Sequence, residues 1–143
     1  GYNDFLVEIG GEITANVNNL DNWVVGIQNP DKSGIIKKIK LLNKSMATSG
    51  TYNNYFEIDG TKFSHIINPK NGYPYNYSII SATVISNKCI DADAYATMAM
   101  TMGVVEYLSI INATKEVDCF LVGLNTNGDF IYYESNNFKE FNY

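Results

Sequence analysis

Short runs of apolar, β-branched and aromatic residues alternate with turn residues along most of this 143-residue chain. Runs of this length and composition are typical of β-strands. The predicted strands span residues 4–9, 23–27, 35–42, 55–58, 62–67, 77–86, 117–124 and 130–133. Two of the intervening turns contain Asp59-Gly60 and Asn127-Gly128, dipeptides that favour tight β-hairpins. The pattern therefore predicts a chain dominated by antiparallel strands.

A different pattern occupies the stretch from about Asp91 to Met102, which is rich in Ala and Met and is followed by Gly103. This composition predicts a helix that stops near the glycine. Residues 104–111 predict a second, short helix. Strands grouped around a helical pair indicate an α+β fold, in which a mainly antiparallel sheet packs against that pair. Residues 1–143 contain no repeat and no second domain boundary, so they are expected to lie within one domain.

The composition supports a packed core, because 45% of the residues are hydrophobic and 13% are aromatic. The formal net charge is −5, and the basic residues are scattered except at Lys37-Lys38-Ile39-Lys40, which is expected on the solvent face of a strand. Nucleic acid is therefore not an expected partner. No apolar run approaches the roughly 18 residues that a membrane-spanning helix needs. Because the chain starts at Gly1 without an initiator Met, we expect a fragment, whose targeting signals this sequence does not reveal.

Cysteine and histidine are scarce in this chain, with two cysteines and one histidine. Cys89 and Cys119 lie among apolar residues without CxxC spacing, which indicates small core side chains rather than zinc ligands or a disulfide framework. The single histidine, His65, ends a predicted hairpin strand, where it either orients a ligand or is a half-buried structural residue. A Ser-His-Asp triad is not expected, because the chain has no G-x-S-x-G motif.

Two glycine-containing segments leave a choice between ligand binding and plain turns. Thr48-Ser49-Gly50-Thr51-Tyr52 and Gly10-Gly11 are both small enough for backbone N–H groups to approach a ligand closely. A simple turn explains either segment equally well. Neither forms a G-x-G-x-x-G or Walker motif, so no nucleotide-binding loop is predicted.

Asp93 and Thr97 are the most informative pair of residues, because their spacing of four places both on one face of the predicted helix. A carboxylate and a hydroxyl are hard oxygen donors, which suit a small divalent cation that could in turn hold a phosphate-bearing ligand. The alternative is structural: acidic residues favour the first helical turn, and Thr can bond back to a backbone carbonyl. From these two residues alone, the structural alternative is the more common one.

Taken in order, these segments resemble the motifs of the ApbE-type FAD:protein FMN transferase family, over essentially the whole chain. Residues 7–13 (VEIGGEI) resemble its V-x-x-G-G-[DE]-I strand, and residues 48–60 its T-S-G-x-Y…D-G hairpin. Residues 64–74 resemble H-I-I-D-P-x-x-G-x-P, with Asn68 in place of the usual Asp. Residues 92–103 resemble A-D-A-x-A-T…x-G. The change at Asn68 keeps a turn-forming side chain but removes a charge.

The resemblance implies an ApbE-like fold and a Mg²⁺-dependent activity. Such an enzyme splits FAD at its pyrophosphate, transfers the FMN phosphoryl to a Thr hydroxyl of a target flavoprotein and releases AMP. By the same resemblance, Asp93 and Thr97 are the implied metal ligands, and Asp93, Thr97 and His65 are the implied catalytic residues. The implied FAD-binding residues are His65, Ile66, Ser49 and Gly50.

The resemblance covers only the C-terminal half of the family's domain, because no segment matches its N-terminal G-x-I-A-K-G-Y-like motif. The fragment alone is therefore expected to be inactive and to expose an apolar surface that favours self-association. The resemblance also implies an extracytoplasmic, membrane-anchored protein that acts on a subunit of a membrane redox complex. Two alternatives stay open: a Mg²⁺-dependent FAD pyrophosphatase that yields FMN and AMP, and a non-catalytic flavin-binding module.

Overall fold

The computed structural model describes residues 1–18, 22–51, 55–58, 61–64, 66–75 and 79–143, with the backbone alone for 55–58 and 61–64. Its strands are β1 (Phe5–Ile9), β2 (Glu12–Asn16), β3 (Trp23–Gln28), β4 (Ile35–Leu41), β5 (Ser45–Gly50), β6 (Tyr55–Ile58), β7 (Thr61–Ser64), β8 (Ile79–Ser86), β9 (Val117–Leu124) and β10 (Phe130–Glu134). Helices α1 (Cys89–Ala99) and α2 (Val104–Ala113) lie between β8 and β9, and a 3₁₀ turn (Phe138–Phe141) follows β10.

The main sheet has six antiparallel strands in the order β1-β2-β5-β8-β9-β10, and two separate hairpins are formed by β3-β4 and β6-β7. The predicted α+β class is therefore confirmed. The β9-β10 hairpin is also confirmed, although its connection is longer than two residues and spans 125–129. The turn predicted at Asp59-Gly60 lies outside the described residues, and the strands on either side of it pair as expected.

Two strands of the main sheet, β2 and β5, were not predicted. The sequence of β5 is SMATSG, whose small and polar residues do not resemble a strand taken alone. It nevertheless pairs with β8 along its whole length, from Ser45↔Ser86 to Gly50↔Ser81. The turn interpretation of residues 48–50 is therefore wrong, because neighbours distant in sequence make this segment a central strand.

The other glycine segment, Gly10-Gly11, forms a turn. Gly10 and Gly11 have φ angles of 67° and 106° and join β1 to β2, with Ile9 paired to Glu12. Positive φ at both central residues is what a two-residue hairpin turn needs. The backbone N–H of Gly11 donates to the Glu8 carboxylate at 2.8 Å. Gly10 and Gly11 therefore form the turn of the β1-β2 hairpin.

Helix α1 lies against the sheet through a stripe of alanines, Ala92, Ala96 and Ala99, all fully buried. Alanine lets the helix backbone approach β5 and β8 closely, where Ala47 and Ala82 are also buried. The helix begins and ends earlier than predicted, and Gly103 precedes α2 as its N-cap instead of ending α1. The small residues thus fix α1 on the central strands.

Helix α2 is joined to α1 by Tyr107, whose hydroxyl donates to the Tyr95 carbonyl at 2.9 Å. Burial raises the pKa of Tyr107 far above its usual value. Among the described residues, no helix has both the length and the apolar character required to cross a membrane. Tyr107 of α2 and the alanine stripe of α1 belong to one buried cluster with Ala47 and Ala82 of the sheet, so the helical pair is a layer on one face of the sheet.

The opposite face of the sheet is covered by β3, β4 and the C-terminal turn. Phe138 is fully buried there and lies 5.7 Å from Phe120, measured between ring centroids. Lys37 forms an ion pair with Glu134, and its ammonium lies 5.4 Å from the Phe120 ring centroid. Of the predicted solvent-facing lysine cluster, Lys38 is exposed, whereas Lys37 helps to attach β4 to the sheet.

The two cysteines differ in environment, and both are free thiols. Cys119 is fully buried in β9, where burial raises the pKa of its thiol to about 12. Cys89 is half-buried at the first position of α1. The prediction of a core side chain is therefore confirmed for Cys119 and is wrong for Cys89.

Candidate functional site

Helix α1 presents Asp93 and Thr97 one turn apart on its exposed side, beside the buried alanine stripe. The helix starts at Cys89 after the N-cap residue Lys88, so Asp93 falls in the second turn and Asp91 is the acidic residue of the first. A role for Asp93 in capping the helix is therefore wrong. The helix dipole also contributes less there than the sequence suggested, because its effect falls off within the first turn.

The carboxylate of Asp93 is available to a ligand. Asp93 is exposed, and its carboxylate forms no hydrogen bond or ion pair within the described residues. A carboxylate used for structure is normally held by a backbone N–H or a cationic side chain. Asp93 has neither in this part of the chain, so its charge remains free for binding.

The hydroxyl of Thr97 meets a residue from another element. Its Oγ1 lies 3.2 Å from Oγ of Ser49 on β5, and either atom could be the donor. On β5, Ala47 and Ser49 share one face, and Ala47 belongs to the core beneath α1. The expected alternative, a bond back to the Asp93 carbonyl, does not occur among the described residues.

Gly50 and Ile66 are the two other implied FAD-binding residues that the structure describes. Gly50 is the last residue of β5 and pairs with Ser81 of β8. The backbone N–H of Thr51 then donates to the Ile80 carbonyl at 3.0 Å, which continues the contact with β8. Ile66 is half-buried and packs against the core beneath α1, while its carbonyl accepts the N–H of Tyr75 at 3.0 Å. His65 lies outside the described residues, and its predicted roles stay predictions.

The loop after Ile66 is closed by Asn68. Its side-chain Oδ1 accepts the N–H of Lys70 at 2.9 Å, and its carbonyl accepts the N–H of Gly72 at 2.8 Å. Its own N–H donates to the Tyr73 carbonyl at 2.8 Å. These bonds agree with the turn-forming role expected of a side chain that replaces Asp at this position.

We expect Asn68→Asp to leave the free energy of unfolding almost unchanged, because a carboxylate oxygen can accept the same N–H of Lys70. Asn68→Ala removes the acceptor and should destabilise the protein by about 1 kcal/mol. Urea unfolding of the two variants beside the wild-type protein measures both effects. Equal loss of stability in both variants would show that the amide group of Asn68 has another role.

The donor set on α1 fits Mg²⁺ better than a structural metal. Asp93 and Thr97 offer a carboxylate and a hydroxyl, both hard oxygen ligands. No group of three or more His, Cys, Asp or Glu side chains suited to a metal occurs in the described parts of the chain. Mg²⁺ is commonly bound by one or two carboxylates, with water and phosphate oxygens completing its octahedron. Asp93 and Thr97 could therefore hold Mg²⁺ together with a phosphate-bearing ligand.

This oxygen pair lies on an open surface. Two clefts on the described surface have volumes of about 540 and 350 Å³, and neither is lined by Asp93, Thr97 or Ser49. The clefts are instead lined by residues near the start of β9, such as Glu116. The exposed face of α1 that carries Asp93 and Thr97, which we call the shelf, is therefore accessible to a ligand from solvent.

Comparison with known proteins places this chain in a family. The model of the ApbE family matches residues 1–121. A protein from Vibrio cholerae serotype O1 named FAD:protein FMN transferase is 37% identical over 145 residues, which cover 99% of this chain and 43% of that protein. One of the same name from Escherichia coli strain K12 is 36% identical over 132 residues, covering 84% of this chain and 38% of the other.

Solved structures agree with the sequence relatives. Flavin transferase ApbE from Vibrio cholerae superposes with a TM-score of 0.81 at 34% identity, covering 97% of this chain and 44% of that one. The ApbE protein from Thermotoga maritima gives a TM-score of 0.83 at 28% identity, with 98% and 45% covered. The chain thus spans less than half the length of the relatives it matches. Its sequence and its fold both show that it belongs to the ApbE family.

Proposed function

We propose that this chain is the C-terminal, metal-binding part of an FAD:protein FMN transferase. The observation that carries the proposal is the carboxylate of Asp93, exposed and unengaged one helical turn from Thr97, in a chain whose relatives bear that name. Those relatives are more than twice as long as the matched segment, so the activity belongs to a longer protein that contains this sequence.

In the proposed reaction, the bond between the FMN phosphorus and the bridging oxygen of FAD breaks. The same phosphorus forms a bond to the hydroxyl oxygen of a Thr on the target protein. The hydroxyl proton passes to solvent, and AMP leaves with the bridging oxygen. Mg²⁺, when bound, supplies neutralisation of the negative charge on the pyrophosphate, which is the main requirement of phosphoryl transfer.

The residues of this chain have separate tasks in that proposal. Asp93 contributes the negative charge that retains a cation, and Thr97 contributes a neutral oxygen beside it. The alanine stripe of α1 holds both on a rigid element, so little ordering is required when the ligand binds. Gly50 and Ile66 are proposed to contact the flavin-bearing part of FAD.

A second candidate, hydrolysis of FAD to FMN and AMP, is favoured by the exposure of the shelf, because the described residues do not exclude water from Asp93 and Thr97. A non-catalytic flavin-binding module is the weaker alternative, since it would not need an unengaged carboxylate. Incubating the full-length protein with FAD, Mg²⁺ and a candidate acceptor, followed by mass spectrometry of the acceptor, separates the three. An acceptor that gains FMN supports transfer; free FMN with AMP supports hydrolysis; intact bound FAD supports the binding module.

The partners and the location are also proposals, supported only by family resemblance. We propose that the acceptor is a flavoprotein subunit of a membrane redox complex, and that the full-length protein acts outside the cytoplasm, anchored at the membrane. The edge strand β1 exposes Val7 and Ile9 in this chain, and such an apolar edge favours self-association of the fragment.

His65→Ala in the full-length protein should weaken FAD binding or slow transfer without removing the Mg²⁺ dependence. The expected reason is positional, because His65 directly precedes Ile66, which packs on the core beneath α1. Isothermal titration with FAD, together with transfer rates at several Mg²⁺ concentrations, measures both effects. Wild-type affinity and rate in the variant would assign His65 a purely structural role.

A further inference from the structure

The hydroxyl of Thr97 makes a different contact from the hydroxyls of two threonines at the C-terminal ends of the helices. Thr101 donates its hydroxyl to the Met98 carbonyl and Thr114 to the Ile110 carbonyl, each at 2.8 Å. A bond to a carbonyl three or four residues earlier is the usual choice of a threonine on a helix. Thr97 instead lies 3.2 Å from the hydroxyl of Ser49. Some feature other than local helix geometry must therefore set its orientation.

That feature is the rigid contact between α1 and β5. Ser49 is held in register opposite Ala82 of β8, and it is half-buried beside the helix. The buried Ala92 and Ala96 keep α1 close to the sheet. Because both backbones are fixed, Ser49 offers one hydroxyl at a defined place next to Thr97.

We propose that Ser49 is a positioning residue, whose hydroxyl accepts the Thr97 proton and so directs the Thr97 lone pairs to the cation site beside Asp93. The inference rests on the proposed function, because it assigns Ser49 a task within that metal site. A hydroxyl that binds a cation through a lone pair must give its proton to another acceptor. Ser49 is such an acceptor, and accepting the proton increases the electron density on the Thr97 oxygen.

This role differs from the direct contact with FAD that family resemblance implies for Ser49. If Ser49 contacted the flavin, Ser49→Ala would weaken FAD binding and leave the binding of a metal ion without FAD unchanged. If Ser49 instead positions Thr97, Ser49→Ala changes the binding of a metal ion without FAD and also the side-chain conformation of Thr97. Partners that orient metal ligands typically contribute 10-fold to 100-fold in metal affinity, so we expect a loss of about 10-fold for an exposed site.

The test uses the 143-residue chain labelled with ¹³C and ¹⁵N, and Mn²⁺, which shares the oxygen preference of Mg²⁺ and broadens nearby NMR signals even when it binds weakly. Titration of the wild-type chain should broaden the amide signals around Asp93 and Thr97. Ser49→Ala should raise the apparent Kd about 10-fold, and Ser49→Thr should restore it. Without metal, three-bond couplings to the Thr97 methyl carbon should show a new side-chain conformation in Ser49→Ala.

Ser45→Ala is the matched control. Ser45 lies on the same strand, and its hydroxyl is 3.0 Å from that of Thr14, so the same substitution removes an equivalent bond about 13 Å away. It should change neither the Mn²⁺ titration nor the Thr97 couplings. If Ser45→Ala weakened Mn²⁺ binding as much as Ser49→Ala, the effect would be one of strand stability and the inference would be overturned.

Asp93→Asn separates failure of the inference from failure of the proposed function. Loss of broadening in Asp93→Asn, with unchanged binding and couplings in Ser49→Ala, would overturn the positioning role alone. Unchanged broadening in Asp93→Asn, or none around α1 in the wild-type chain, would overturn the metal site and with it the positioning role. A weaker titration in both variants, with altered Thr97 couplings in Ser49→Ala, supports the inference.

Discussion

Asp93→Asn should abolish Mg²⁺-dependent FMN transfer by the full-length protein while leaving its fold intact. The amide keeps the size of the carboxylate but loses the charge that retains a hard divalent cation. Asp93 is exposed and has no partner in the described structure, so the free energy of unfolding should change by no more than about 0.5 kcal/mol. Transfer rates over a range of Mg²⁺ concentrations, together with urea unfolding, measure the two effects.

Asp91→Asn is the matched control, because Asp91 is also an exposed acid of α1 and lies only two residues away. It should keep its activity and lose at most about 1 kcal/mol of stability, as expected for an acid in the first helical turn. Thr97→Val should be impaired less than Asp93→Asn, since a neutral hydroxyl contributes less than a carboxylate. Near wild-type turnover of Asp93→Asn in limiting Mg²⁺ would show that the metal assignment is wrong.

The 143-residue chain alone should transfer no FMN and should not bind FAD with a micromolar Kd. Asp93 and Thr97 form an open shelf, and in the described parts of the chain no third acidic, His or Cys ligand joins them. Mg²⁺ gives up its water reluctantly and demands near-ideal octahedral geometry, so two ligands hold it weakly. Weak Mn²⁺ binding at millimolar concentration is compatible with this expectation. Tight FAD binding is not.

Equilibrium dialysis of the purified chain with FAD and Mg²⁺ gives the direct measurement. The same experiment on the full-length protein serves as the positive control. A Kd of about 1 μM or lower for the chain alone, near −8 kcal/mol of binding free energy, would show that residues 1–143 hold a complete FAD site. The proposal that the rest of the protein completes the site would then be wrong.

The strands that the sequence predicted are those whose own residues favour a strand. β8 and β9 carry mostly apolar and β-branched residues, and they are adjacent interior strands of the sheet with limits close to those expected. β5 lies beside them with the sequence SMATSG and was missed, because its burial depends on α1 and β8 rather than on its own side chains. Local composition cannot report such a contribution from distant neighbours.

By itself, the sequence determined that Asp93 and Thr97 share a helix face, because a spacing of four residues is a local property of the helix. Family resemblance then pointed to both residues as metal ligands. Only the tertiary structure decided that the Thr97 hydroxyl meets Ser49, whose position lies 48 residues away along the chain. That contact depends on the register of β5 against β8 and on how closely the alanine stripe lets α1 approach the sheet. Both are properties of packing between elements, which no spacing along the chain encodes.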